Sequence, residues 1–463
     1  MTPRRWRDQI GLRLLLLFLL AAAACQSVPT ATPGQSPPPA GSPVTSSLTA
    51  ILPGVPQGSL KGITVDAWYP WFGVEASLFE SEVLAFNQTN KWGVQVRAAS
   101  QGGYSQLYES TTAALDTPRR PQLVIALPAQ ALAWDARGYV LDLTSYVQDP
   151  QYGLTGAEQT DFPIVFWSQD EVAGRRLAVP AERTARFILY NLTWARNLGF
   201  DSAPQNADEF RQQACRAHQA MLSDADRMND GQGGWLVDTS STTFLSWMMA
   251  FGGGVLDGNG YRFLTPKNLI GLTFVKQLYD DGCAWTAQPD TDLPAAFAAR
   301  KALFATASLE QLPDYSRAMG AADNGDDWTL MGFPGPVQTG LVSYGSSYVV
   351  LKSTAPQQLA AWLFVRWLLS PENQKDWVEA TGLFPLRSSA LPELDGYAKS
   401  HPQWSAAVDL LPKATIEPQL ASWRQVTVMI GDGFDAMFRS NTPTGRVAEI
   451  LAIMGTAAAD LSK

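Results

Sequence analysis

The sequence predicts an α/β protein of more than one domain. Short apolar segments alternate with segments of helical periodicity: "GITVDAW", "WGVQVRAAS" and "PQLVIALP" are separated by "VEASLFESEVLAFNQTN" and "YSQLYESTTAAL". Strands that alternate with helices over short connections favour a parallel sheet with helices on both faces. About 400 residues follow position 60, which is enough chain for two or three domains. Ligands of such proteins collect at the carboxyl ends of the strands.

The N-terminal residues have the layout of an export signal. Arg4, Arg5 and Arg7 precede the apolar run Leu14–Ala24, which is shorter than the roughly 20 residues that cross a bilayer. Cleavage after residue 24 leaves Cys25 as the first mature residue. This arrangement resembles a bacterial lipobox, with Ala22 in place of the usual Leu, and predicts lipidation of Cys25. An uncleaved anchor and a signal without lipid are the alternatives.

Residues 26–60 predict an extended, disordered linker. They are mostly Pro, Ser, Thr, Gly and Ala, with few charges or large apolar side chains. Such a segment buries too little surface to offset the entropy of ordering. The expected organisation is therefore a signal peptide over 1–24, a lipidated cysteine and linker over 25–60, and a folded body that begins at residue 61.

Composition and rare residues limit the function classes. The formal charge of −9 and the pI near 4.9 argue against nucleic acid as a partner. The two histidines, His218 and His401, lack neighbours with metal-ligand spacing. We therefore expect no metal, no cofactor and no catalytic residue. Outside the cytosol, Cys215 and Cys283 predict a disulfide. Two separate buried thiols are the alternative.

Helix start signals mark the second half of the chain. Asn206 and Glu209 form a capping box, which predicts a helix that carries Cys215. Thr265 before Pro266 and Ser370 before Pro371 each place a capping residue before a proline of the first helical turn. These signals extend the α/β pattern to the C-terminal region.

Several motifs follow one another in a characteristic order along the chain. They are "GGYSQLYESTTAAL" with "PQLVIAL", "LAVPAERTARFILYN" with "LGFDSAPQNADEF", "AFGGGVLDGNGYRFLTP", "FAARKALFATAS", and "AAWLFVRWLLSPENQKDWVEATGLFPLRSSAL". This order resembles the extracytoplasmic solute-binding proteins of ABC importers, in their sugar-binding branch. Departures include Gln122 for the family's Asp and Asn206-Ala207 for Thr-Trp. The matching segments run from about residue 62 to the end.

The resemblance implies a two-lobe periplasmic-binding-protein fold of type II, similar to maltose-binding protein, with lobes joined by a hinge of several crossings. An N-terminal α/β lobe is expected over 61–183 and 295–338, and a C-terminal α/β lobe over 184–294 and 339–463. The crossings are expected near Pro180–Arg186, Pro289–Pro294 and Gly335–Gly340, where proline and glycine suit segments that absorb backbone rotation.

Residues at the expected cleft suit a sugar, which needs aromatic rings for its C–H faces and planar polar groups for its hydroxyls. The strand-end loops and the crossing supply most of them, and Trp423 falls where the family often has a stacking aromatic. The expected ligand-binding residues are Trp68, Tyr69, Trp71, Gln101, Tyr104, Gln130, Glu182, Arg183, Thr184, Asp238, Thr242, Gly253, Glu310, Tyr344 and Trp423.

The expected function is capture of a sugar or oligosaccharide by a monomeric lipoprotein, held by its lipid at the outer face of a bacterial membrane or in the periplasm, and delivery to the permease subunits of an ABC importer. Another solute, such as a polyamine or glycerol phosphate, is an alternative within the same class. A glycoside hydrolase that pairs Glu182 with Glu310 or Asp238 is the enzymatic alternative, although no nucleophile motif accompanies these carboxylates.

Overall fold

The computed structural model describes residue 52, residues 55–258 and residues 260–462. The first of its two large sheets has five strands. Across the sheet their order is Gln95–Ser100, Thr64–Tyr69, Leu123–Ala126, Ser347–Val350 and Val179–Pro180. The first three strands are parallel, as the alternating pattern predicts, whereas Ser347–Val350 runs antiparallel to both of its neighbours. The sheet is therefore mixed.

The second large sheet also has five strands, and it corrects the expected division of the chain. Its order is Ala284–Trp285, Gly233–Leu236, Ala302–Ala307, Phe187–Asn191 and Trp328–Met331. Both Ala302–Ala307 and Trp328–Met331 pair antiparallel with Phe187–Asn191. Residues 295–338 thus do not return to the first lobe, and Ser347–Val350 does not stay with the second. We call the first sheet with its helices the first lobe, and the second sheet with its helices the second lobe.

Three chain crossings connect the lobes through a small hinge sheet. Its strands are Thr184–Ala185, Val342–Tyr344 and Thr415–Ile416. The first crossing lies within the expected Pro180–Arg186. The expected crossing at Pro289–Pro294 is wrong, because the strands before and after it share the second sheet. Phe333–Pro334 and Thr339–Gly340 form a hairpin, so the chain crosses after the expected Gly335–Gly340.

Helices flank both sheets, and the capping signals set several of their starts. Asn206 Oδ1 accepts a bond from Glu209 N, and Thr265 and Ser370 cap their helices before a proline. The helices are Gly73–Thr89, Tyr104–Ala114, Pro128–Ala136, Thr144–Val147, Gly156–Thr160, Ile164–Ser168, Leu192–Asn197, Ala207–Leu222, Ser241–Ala250, Pro266–Asp280, Leu293–Ala298, Leu312–Ala321, Ala355–Leu368, Pro371–Thr381, Asp395–Ser400, Pro402–Leu410, Trp423–Met437 and Val447–Leu461. Short 3₁₀ helices cover Gln57–Leu60, Leu309–Gln311, Ser388–Leu394, Leu411–Lys413 and Thr444–Arg446. Two further hairpins pair Glu171–Val172 with Arg175–Arg176 and Leu256–Asp257 with Gly260–Tyr261.

Aromatic side chains dominate both cores. In the first lobe Phe86 and Phe364 are in contact and fully buried. In the second lobe Trp235 and Trp247 are also fully buried against each other. A disulfide joins Cys215 to Cys283, as predicted. Within the part of the chain that the structure describes, no helix is both long and apolar enough to traverse a bilayer.

Candidate ligand-binding cavity between the lobes

A cavity of about 510 Å³ lies where strand ends of both lobes meet the hinge. Loops that follow Thr64–Tyr69, Gln95–Ser100 and Leu123–Ala126 form one side. The other side includes the residues after Ala302–Ala307 and the hinge strands. The lining residues are Pro70, Trp71, Phe72, Glu75, Gly103, Tyr104, Leu127, Glu182, Arg183, Thr184, Glu310, Tyr344, Gly345 and Leu383. The position agrees with the rule that ligands collect at the carboxyl ends of strands, and the volume suits a small molecule.

Glu182 is the carboxylate on the first-lobe side of the hinge. Its Oε1 accepts a hydrogen bond from Ser346 Oγ at 3.0 Å and another from the Tyr104 hydroxyl. Burial raises the pKa of Glu182, and these hydrogen bonds only partly oppose the shift. Burial also raises the pKa of Tyr104 well above its usual value, and the Glu182 charge adds to that effect. Tyr104 therefore stays a neutral donor to Glu182.

Glu310 is the carboxylate on the second-lobe side. Its Oε2 accepts a bond from Thr184 Oγ1 at 3.1 Å, and its Oε1 accepts one from Ser308 Oγ at 2.5 Å. Two short hydroxyl side chains thus fix the carboxylate at the cavity edge. Glu310 itself is an exposed residue, so solvent reaches it at the cavity edge.

Arg183 lines the cavity, but its charge is used inside the hinge. One guanidinium nitrogen lies 2.8 Å from Asp170 Oδ2, and both side chains are 1% exposed. Ser347 Oγ donates to Asp170 Oδ1 at 2.7 Å. Burial raises the pKa of Asp170, although Arg183 acts in the opposite direction. The pair ties the first crossing to the first lobe and leaves little of the Arg183 charge for a ligand.

Gly345 shows how closely the hinge strands approach at the cavity. Its φ is +146°, a conformation that side chains disfavour, and a Cβ there would lie 2.3 Å from the Glu182 carbonyl oxygen. Only glycine fits this position without a shift of the hinge.

The structure brings seven of the expected site residues together in the lining: Trp71, Tyr104, Glu182, Arg183, Thr184, Glu310 and Tyr344. Burial raises the pKa of Tyr344 far above its usual value, so its hydroxyl is neutral. Trp71 is 5% exposed, and its indole Nε1 has no hydrogen-bond partner among the described residues.

Four expected residues of the first lobe lie outside this lining. Trp68 is part of a strand and packs, half-buried, against the core. Tyr69 is 2% exposed and donates its hydroxyl to Glu80. The backbone N–H of Gln101 donates to Tyr69 O. Gln130 is 1% exposed, accepts from Leu127 N at 3.0 Å and donates to Tyr104 O at 2.8 Å, so it positions a lining residue from behind.

Four expected residues of the second lobe also lie outside the lining. Asp238 pairs with Arg186 at 3.0 Å, and Thr242 is buried beside Ser240 at 3.2 Å. Gly253 is required by packing, since a Cβ there would meet the Asn268 Oδ1 atom at 1.9 Å. Trp423 is 4% exposed and belongs to the second-lobe core.

Sequence reasoning missed Pro70, Phe72, Glu75, Gly103, Leu127, Gly345 and Leu383. Four of them, Pro70, Phe72, Gly103 and Gly345, adjoin expected residues within the same loops, and Glu75 and Leu127 lie within four residues of one. Whole strand-end loops with the helix starts that follow them would have been the better candidates. Leu383 carries no such signal, because it reaches the cavity from a helix end far along the chain.

Comparison with protein families identifies the chain. Residues 83–411 match the model described as "Bacterial extracellular solute-binding protein". The chain belongs to this family. No functionally curated protein matches this solute-binding protein at a significant level.

Solved structures show that the solute-binding protein has the two-lobe type II fold. The cyclic alpha-maltosyl-1,6-maltose binding protein from Arthrobacter globiformis matches with a TM-score of 0.71 and 18% identity, over 87% of this chain and 99% of the other. The sugar-binding protein MalE from Xanthomonas citri gives 0.73 and 18%, over 86% and 97%. UgpB from Mycobacterium tuberculosis, in complex with glycerophosphocholine, gives 0.69 and 19%, over 86% and 98%.

Two further expectations concern metals and the N-terminal anchor. In residues 55–258 and 260–462, with Leu52, no group of three or more His, Cys, Asp or Glu side chains is arranged to hold a metal ion. Cys25, the signal peptide, and residues 26–51, 53 and 54 of the expected linker lie outside the described residues. The end of that linker is not disordered, because Gln57–Leu60 forms a 3₁₀ segment and both Leu52 and Leu60 are buried in the hydrophobic core. The folded body therefore begins before the expected residue 61.

Proposed function

We propose that this solute-binding protein captures a sugar or oligosaccharide in the interlobe cavity and delivers it unchanged to the permease of an ABC importer. The observation that carries the proposal is the cavity itself, which has aromatic side chains and hydrogen-bonding groups from both lobes and the hinge. A ligand favours the closed form only through contacts that differ between open and closed states. Solved proteins of the same fold that are named for maltose-type sugars support the sugar assignment.

Calorimetric titration with a panel of mono- and oligosaccharides tests this proposal. Binding should raise the unfolding free energy by about 2.7 kcal/mol at a ligand concentration 100 times Kd. Tyr344→Ala, which removes a lining ring, should weaken binding by about tenfold. Tyr139→Ala is the matched control, because Tyr139 bonds to Asp116 outside the cavity. Equal loss in both variants, or turnover of the bound sugar, would contradict the proposal.

We also propose that Cys25 carries the lipid that holds the protein near its permease, and that the protein acts as a monomer. Cys25→Ser should release the mature protein into the medium or periplasm, whereas the unchanged chain stays with the membrane fraction. Mass spectrometry of the N-terminal peptide checks the modification, and size-exclusion chromatography with light scattering checks the monomer.

A further inference from the structure

The cavity contains more hydrogen-bond acceptors than free donors. Three carboxyl groups line it: Glu75, Glu182 and Glu310. Its one lining cation, Arg183, is paired with Asp170. A neutral sugar hydroxyl both donates and accepts, so a site for a neutral sugar benefits from both kinds of partner. This lining offers mainly acceptors.

The lining hydroxyl donors with known partners already serve these carboxylates. Tyr104 donates to Glu182, and Thr184 donates to Glu310. Two N–H groups of lining residues have no hydrogen-bond partner among the described residues, the indole Nε1 of Trp71 and Nε of Arg183. Trp71 is 95% buried, and its N–H is the uncharged one of the two. This N–H lies near Glu182, where a weak side-chain hydrogen bond from Trp71 opposes the rise in the pKa of that carboxyl. Because that contact falls outside ordinary hydrogen-bond geometry, a ligand oxygen beside Glu182 can accept from the indole N–H instead.

Aromatic rings complete the arrangement. Trp71, Phe72, Tyr104 and Tyr344 all contribute to the lining, and Phe72 is 63% exposed. Ring faces attract cations as well as the C–H faces of sugars. Carboxylates together with ring faces and few free cations therefore suit a ligand that carries positive charge.

We propose that the captured solute carries an ammonium group, held by Glu182 and Glu310, and a hydroxyl or ether oxygen that accepts from Trp71. An ammonium supplies three donors and no acceptor, which is the complement of this lining. An aminated sugar combines both features. This inference rests on the proposed function and narrows its substrate class, and it excludes phosphate esters and uronic acids, which the same carboxylates would repel.

The test is calorimetric titration of the full chain at neutral pH with matched ligands. One series compares glucosamine oligomers with their N-acetylated counterparts and with cello-oligosaccharides, which share a pyranose backbone but lack the charge. A second series uses putrescine and choline, which carry the charge without a sugar ring. We expect the glucosamine oligomers to bind at least tenfold more tightly than the N-acetylated oligomers and the cello-oligosaccharides, which are both neutral.

Variants localise the effect. Glu310→Gln and Glu182→Gln should each weaken amine binding by tenfold or more, and each should weaken amine binding more than it weakens binding of the neutral sugars. Glu310 is exposed, so its variant remains informative if the Glu182 variant folds poorly. Glu109→Gln, an exposed carboxyl on helix Tyr104–Ala114, is the matched control and should leave both affinities unchanged.

The outcomes separate the two proposals. Equal or tighter binding of the neutral sugars overturns the ammonium inference and leaves sugar capture intact. Binding of putrescine or choline without the glucosamine series supports the ammonium inference and overturns sugar capture. If none of the amines binds, the ammonium inference is wrong.

Discussion

Glu82 provides a quantitative test of how burial controls stability in this protein. It lies on helix Gly73–Thr89, is 7% exposed, and sits among buried residues that include Phe79, Val83 and Phe86. Burial raises the pKa of Glu82 to about 8, and the nearby Asp376 charge adds to the shift. Below pH 8 the carboxyl is therefore mostly protonated in the folded protein, whereas in the unfolded chain it ionises near its usual pKa of about 4.3.

The sign of the pH dependence follows from this difference. Between about pH 4.5 and pH 8 the folded state holds a proton that the unfolded state has lost, so the unfolding free energy falls as pH rises. A rise from 4.5 to about 8 corresponds to a ceiling of about 5 kcal/mol. Structural relaxation and water entry reduce this figure, and we expect about 2–4 kcal/mol between pH 5 and pH 9.

Glu82→Gln removes the ionisation and keeps nearly the same shape. The variant should match the unchanged protein at pH 5 and exceed its stability by about 2–4 kcal/mol at pH 9. Urea unfolding followed by tryptophan fluorescence at each pH measures the difference, and other titrating groups cancel in the comparison. Glu109→Gln should show no such divergence. If the Glu82 variant is destabilised by the same amount at both pH values, the carboxyl is held by contacts and the reasoning fails.

Three further predictions concern the disulfide and the hinge. Replacing Cys215 and Cys283 by serine opens a loop whose ends are 68 residues apart. Urea unfolding should then show an unfolding free energy lower by about 4 kcal/mol. A reductant should cause the same loss in the unchanged protein and no loss in the serine variant. Asp170→Asn leaves the Arg183 charge buried without its partner and should cost about 3–5 kcal/mol by the same measurement; a loss below 1 kcal/mol would show that water solvates the hinge. Gly345→Ala should lower the melting temperature and weaken ligand affinity together, because the added Cβ displaces a hinge strand, and an unchanged affinity would contradict this.

Local signals predicted the parts of the fold that depend on neighbouring residues. The caps at Asn206, Thr265 and Ser370 are confirmed because a capping bond needs only residues three positions apart. The assignment of strands to lobes depends instead on pairing between residues that are far apart in the sequence. Ala302–Ala307 and Trp328–Met331 enter the second sheet by pairing with a strand more than 100 residues earlier, and periodicity carries no information about such partners.

The candidate site shows the same limit at the level of side chains. The strand-end loops that the sequence selected contribute to one candidate cavity, since Trp71, Tyr104 and Tyr344 all line it. Adjacent residues on a strand point to opposite faces. Both faces of this sheet are covered, so Trp68 and Tyr69 each pack against a different core cluster rather than line the cavity. Trp423 illustrates a second difficulty, because an aromatic at a helix start fits a ligand stack and a core contact equally well until packing is known.

The buried ion pair of Arg183 and Asp170 fixes the first crossing of the hinge to the first lobe. In a rotation of the lobes, Glu182 and Tyr104 would therefore move with the first lobe, and Glu310 would move with the second. We expect closure of an empty cleft to bring the Glu182 and Glu310 carboxyls closer together. Where both are ionised, their repulsion should oppose closure, and more weakly as salt concentration rises. A positively charged ligand would remove this repulsion, so binding of the ligand and closure of the lobes would be coupled.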